Sequence, residues 1–143
     1  MRNRLGARSE ALIPREVMPK FIVPGSSVEF EIPDAWWQFC DMENFRPATS
    51  FYLYSQRDDG VQTVPILDVR PPERNDGVAG LHKNRLAPIL LAFTSDRCAV
   101  PALPVRELAN IKPYRYEVLD GYHRYYASVA AGYTRLPVLI RSE

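Results

Sequence analysis

The stretch Tyr114–Ile140, YRYEVLDGYHRYYASVAAGYTRLPVLI, admits few folds. Tyr114–Leu119 alternates in the period of a strand. Asp120-Gly121 breaks that run. Tyr122–Ala131 has good helix content, and Gly132 stands where a helix commonly ends on a left-handed residue. Leu136–Ile140 is a final apolar strand. A strand that turns into a helix and returns to a second strand needs a sheet for the helix to cover. The block therefore predicts an α+β domain, with helices packed on a small mixed sheet.

Upstream signals are more broken. Residues 1–20 hold Arg2, Arg4, Arg8, Arg15 and Lys20 against Glu10 and Glu16, and read as a polar, basic arm. Pro24, Pro33 and Pro47 punctuate residues 21–48. Val28–Ile32 alternates as a short strand, and Asp34 suits the N-cap of a helix over Ala35–Met42. Trp36, Trp37 and Phe39 on that helix predict core packing, with a ligand platform as the other reading. Thr49–Ser55 and Val61–Val69 both suit strands, and Arg57-Asp58-Asp59-Gly60 between them predicts a hairpin turn. Pro65 restricts the second strand to an edge or a bulge. After Pro71-Pro72 a helix is expected over Val78–Phe93, kinked at Pro88 or split after Leu86. Val100–Val105, with two prolines, predicts an edge-like strand, and Arg106–Lys112 a turn or hairpin tip. The chain divides by this reading into an arm and aromatic-rich extension over 1–55 and a domain over 56–143.

Length and composition set the class. The chain has 143 residues, 46% of them apolar, enough for one buried core and too apolar for disorder. A formal charge of +1 gives no push toward DNA. Cys40 and Cys98 are too few for a disulfide framework or a four-thiolate zinc site, and His82 and His123 add little. Both thiols are expected to be reduced and buried. No apolar run approaches the roughly 20 residues of a membrane span, and no apolar segment follows the basic N-terminus as in a signal peptide. A cytoplasmic protein without membrane contact is expected.

The chemistry concentrates at Asp120–Tyr125. The first turn of a helix leaves amide N–H groups without intrahelical acceptors, and the helix dipole adds positive potential there. Anions bind well at such ends. Gly121 lets a phosphate approach the backbone. His123 and Arg124 add donors, and arginine can grip phosphate at two points. Asp120 suits a turn, a cap, a metal or a substrate hydroxyl. The same junction also serves purely structural ends, with His123 satisfied internally and Arg124 a surface cation.

The block resembles the signature of the ParB/sulfiredoxin superfamily, in which a strand runs into a Gly-x-[His/Arg]-Arg box, then a helix of small residues, a Gly and an apolar strand with Pro. Upstream, VPILDVRPP resembles the family's first strand and its exit, and the middle helix and VPALPVRE come next in the family's order. The resemblance covers about residues 61–141 and none of 1–55. It implies a nucleotide site over the box helix. Carried across, Gly121, Tyr122, His123 and Arg124 occupy the phosphate box. Arg70 matches the basic residue after the first strand, and Lys83, Asn84 and Arg85 occupy the polar part of the middle helix. A nucleoside triphosphate, ATP or CTP with Mg²⁺, is the implied ligand.

Within that superfamily, sulfiredoxins carry a nucleophilic Cys where this chain has Tyr122, so sulfinic acid reduction is not expected. Partition-type members read DNA with a helix-turn-helix after this domain; no such segment comes after it here, so centromere reading by this chain is not expected. Free serine kinases of the superfamily have a box beginning Asp-Gly and a carboxylate base. Asp120 and Glu73 are the matching catalytic candidates. The resemblance thus implies an NTP hydrolase or phosphotransferase. A non-enzymatic DNA- or protein-binding module using the same anion pocket, a ParB-like nuclease, and a homodimer formed through the aromatic extension are the other expectations.

Overall fold

The computed structural model describes residues 19–55, 60–73, 80–95, 99–109 and 112–141. The basic arm up to residue 18, the turn residues 57–59, Val78, Cys98 and part of the 106–112 tip lie outside them. The expected α+β class is present. Two short strands, β1 (Lys20–Ile22) and β2 (Glu29–Glu31), pair antiparallel, with Phe21 opposite Phe30. Helix α1 (Asp34–Phe39) comes next. The main sheet holds β3 (Val61–Pro65), β4 (Val69–Arg70), β5 (Leu103–Glu107), β6 (Tyr116–Val118) and β7 (Arg135–Ile140), in the order β3-β7-β5-β6-β4. Two helices, α2 (Lys83–Phe93) and α3 (Tyr122–Ala131), pack on each other. Among the described residues no helix is long and apolar enough to cross a membrane.

The expected strand Val61–Val69 is broken by a 3-10 turn at Ile66–Asp68, and its halves lie at opposite edges of the sheet. Pro65 to Val69 spans at most about 14 Å of extended chain. Crossing a flat five-stranded sheet needs four strand spacings, about 19 Å. The sheet must therefore curl so that its two edges approach.

Several local expectations yield to tertiary pairing. Thr49–Ser55 forms no hairpin with β3. Tyr54 makes an isolated parallel bridge with Val100, while β3 takes β7 as its antiparallel partner. The segment is drawn aside by its aromatics: Tyr52 is fully buried and its hydroxyl donates to the Pro101 carbonyl at 2.6 Å. Nor is Val100–Val105 an edge. β5 sits at the centre, parallel to β7 and antiparallel to β6. Pro104 is tolerated there because it stands where β6 gives way to the Asp120-Gly121 turn, and its carbonyl still accepts the Leu119 N–H at 2.8 Å. Pro137 on β7 lies opposite Thr63 in the register. The Thr63 carbonyl accepts from the Arg135 guanidinium at 2.7 Å.

The helices also differ in detail. Pro33, not Asp34, precedes α1, and the Asp34 carboxylate accepts from Gln38 at 2.6 Å within the helix. α1 stops at Phe39, and Asp41 then takes a positive φ of 62°, which turns the chain. α2 starts at Lys83 and runs through Pro88 without splitting. Pro88 stands at the middle of α2 and removes one ladder bond, the one to Asn84. α3 and Gly132 match the expected boundaries, with Gly132 at φ +98°.

One cluster forms the core. Val23, Ile32, Cys40, Met42 and Tyr52 share it with Leu86 and Leu90 of α2, Tyr125 and Ala127 of α3, and Leu103, Val105, Leu136 and Val138 of the sheet. Cys40 is buried, as expected, and its thiol faces the Ala87 carbonyl. Trp36 and Trp37 pack against this core, whereas Phe39 stays 61% exposed beneath the Lys83 ammonium, 4.5 Å from the ring centre.

Candidate functional site

β6 ends where Leu119 bonds back to Pro104, and Asp120-Gly121 swings the chain into α3. Gly121 adopts φ +124°, a region that L-residues rarely enter. A Cβ there would lie 2.9 Å from Leu103 Cδ2 and 3.2 Å from Arg124 Nε. Glycine is thus required by the fold itself. Its carbonyl accepts the Tyr125 N–H at 2.9 Å, the first bond of the α3 ladder, and no side chain caps the helix start.

A cavity of about 470 Å³ opens at this helix start. Its lining joins Asp120, Gly121, Tyr122, His123 and Arg124 to Glu73 and Pro72 from the exit of β4 and to Arg85 and Ile89 of α2. Arg85 and Ile89 are one helical turn apart and so share a face. Lys83 is two residues from Arg85, belongs to a different face and sits over Phe39 instead of lining this cavity. Arg70 lines a smaller neighbouring cleft of about 190 Å³, which shares Pro72, Glu73 and Val118 with the first. Ile89, Val118 and Leu119 form an apolar wall that motif reading does not pick out; only the helical period from Arg85 points to Ile89.

The two basic residues of the box hold the fold as well as lining the cavity. The Arg124 side chain is only 16% exposed. Its Nη1 donates to the carbonyls of Ala102 at 2.8 Å and Pro101 at 3.2 Å, ahead of β5, and its Nη2 lies 3.7 Å from the Asp120 carboxylate. His123 is 5% exposed, and its Nε2 accepts the backbone N–H of His82 at 3.0 Å. In the neutral ring the proton therefore sits on Nδ1. His82 is the residue before α2, so this bond ties the starts of the two helices together. His123→Phe keeps the aromatic bulk and removes the acceptor. It should cost about 1 kcal/mol, and hydrogen exchange should show the His82 amide losing protection. Unchanged protection would mean that this bond contributes nothing.

Tyr122 in the lining is backed by Tyr126. Tyr126 stands 4.9 Å from Tyr122, ring centre to ring centre, and its hydroxyl donates to the Pro72 carbonyl at 2.7 Å, holding the loop that carries Glu73. Burial pushes the Tyr126 phenol above its ordinary value, and Tyr122 and Glu73 push it further. It stays neutral and acts as a donor. Charge in the cavity is mixed: Arg85 and Arg124 share its lining with the carboxylates of Glu73 and Asp120, the latter 81% exposed. Such a site can take phosphate oxygens at the helix start and Arg85 and present carboxylates to a cation bound with them. Among the described residues no three His, Cys, Asp or Glu side chains gather as a self-sufficient metal site. Neither a scan against protein-family models nor a search of the curated proteins finds a match for this chain.

Proposed function

We propose that this chain binds a nucleoside triphosphate by its phosphates at the start of α3, as a ParB/sulfiredoxin-like domain without the sulfiredoxin thiol. The observation that carries this reading is the cavity at which the α3 start, Arg85, Glu73 and Asp120 meet. The box Asp120–Arg124, between a strand and a helix of a mixed sheet, is its sequence counterpart. Phosphate oxygens take the positive end of α3 and the Arg85 guanidinium. Arg124 supports the site chiefly by fixing the turn and the β5 approach against each other.

Magnesium keeps several waters and needs only one or two protein carboxylates beside substrate phosphates. Glu73 and Asp120 fit that modest demand and would hold it, where it would neutralise charge on the phosphates. One carboxylate suffices for the metal, and for hydrolysis or phosphoryl transfer the other of the two is the general-base candidate, since a base must reach the proton of the attacking oxygen. Which nucleophile it serves, water or a substrate hydroxyl, separates hydrolase from phosphotransferase.

Thermal unfolding with ATP, CTP, GTP and UTP, each with Mg²⁺ and with chelator, tests the reading. A ligand at 100 times its Kd stabilises by about 2.7 kcal/mol. Arg85 is exposed at the surface of α2, so Arg85→Ala should leave the unliganded midpoint within about 0.5 kcal/mol while lowering nucleotide affinity about tenfold, as expected for one charge-assisted contact. If no nucleotide shifts the midpoint of the wild-type protein, the proposal falls.

A further inference from the structure

A second cavity, of about 580 Å³, lies on the other side of Tyr122. Tyr122 lines both cavities. The second is floored by Phe30 of β2 and Trp36 of α1, both half-buried, with Lys20, Glu29 and Glu31 at its rim. Phe30 and Tyr122 belong to a continuous aromatic set: Phe21 stacks on Phe30 at 5.3 Å, Phe30 meets Tyr126 edge-on at 4.8 Å, and Tyr126 meets Tyr122 at 4.9 Å. The set is anchored in the core through Tyr126, which is buried. Gly80, also in the lining, packs closely on Tyr122: a Cβ there would come to 3.3 Å from the Tyr122 hydroxyl.

We propose that this groove takes the base of the nucleotide whose phosphates bind at the start of α3, so that the segment 19–36 supplies base recognition to a phosphate site built by α2 and α3. The inference rests on the phosphate reading above and adds the other half of the ligand. Three observations select a planar, polar-edged ring as occupant. Phe30, Trp36 and Tyr122 line the groove, and aromatic side chains stack on any base and stabilise it by about 1–3 kcal/mol. The rim is charged, so the occupant carries hydrogen-bonding groups at its edge; the Glu29 and Glu31 carboxylates accept from amino groups and the Lys20 ammonium donates to ring or carbonyl acceptors. The groove also shares one side chain, Tyr122, with the phosphate cavity, a step of one ring that a ribose bridges.

The test compares a nucleoside triphosphate with inorganic tripolyphosphate by calorimetry on the full chain with Mg²⁺. In the wild-type protein the nucleotide should bind about tenfold or more tightly than tripolyphosphate. Trp36→Ala should bring that ratio close to one. Equal affinities in the wild-type protein would overturn the base site while leaving the phosphate reading standing. Binding of neither compound would remove the phosphate reading and the base site with it. Because the wild-type comparison needs no substitution, it decides even if Trp36→Ala fails to fold. A wild-type preference that survives undiminished in a folded Trp36→Ala protein would also overturn the proposal.

Discussion

Gly121→Ala should destabilise the protein by about 3 kcal/mol, measured by chemical denaturation. Two costs combine. The φ of +124° is strained for alanine, at about 1–3 kcal/mol. The new Cβ also meets Leu103 Cδ2 at 2.9 Å, and Leu103 is fully buried on the central strand. It cannot move without displacing its neighbours in a close-packed interior. Gly132→Ala separates the two costs. Gly132 has φ +98°, but its Cβ would meet only Pro47, at an ordinary 3.5 Å. That variant should lose about 1 kcal/mol, the backbone cost alone. Equal losses for the two variants would show that Leu103 relaxes and that the close approach is not what demands glycine at 121.

Arg124→Ala should cost about 3 kcal/mol as well, for a different reason. The guanidinium holds the carbonyls of Pro101 and Ala102 from a largely buried position, bridging α3 to the entry of the central strand. Hydrogen bonds to a charged donor contribute about 1.5–3 kcal/mol each and are not additive. Arg124→Lys offers a point donor on a flexible stem in place of a planar fork, and should recover less than half of the loss. Asp120→Asn removes only a 3.7 Å ion pair at an exposed carboxylate and should stay within about 0.5 kcal/mol of wild type. A stable Arg124→Ala protein would show that water replaces the guanidinium at these carbonyls. Arg124 would then serve a ligand only.

The part of the molecule legible in the sequence is the part held by short-range rules. The α3 boundaries, the Asp120-Gly121 turn and the left-handed Gly132 come from alternation, helical composition and glycine placement within a few residues of each other. Pro65 at a sheet edge comes from its missing N–H. Strand pairing is not legible in this way. Nothing local tells Val61–Pro65 to choose the distant β7 over the nearby Thr49–Ser55. Two prolines argue for an edge at Val100–Val105. The structure instead places Pro104 where β6 ends, and its carbonyl still accepts from Leu119. The strand β1 escapes sequence reading because the run Phe21–Val23, set between Pro19 and Pro24, is apolar throughout and does not alternate.

For the candidate site the division is similar. Neighbouring residues alone dictate a strand, a glycine turn and a helix start carrying His123 and Arg124, because φ preferences and helical periodicity are local properties. Long-range packing assigns those side chains their work. It sets Arg124 against the carbonyls of residues 101 and 102, sets His123 Nε2 against the His82 amide, and turns Lys83 to Phe39 while Arg85 lines the cavity. Each of these contacts joins residues far apart in the chain, and their direction depends on how the helices pack across the curled sheet.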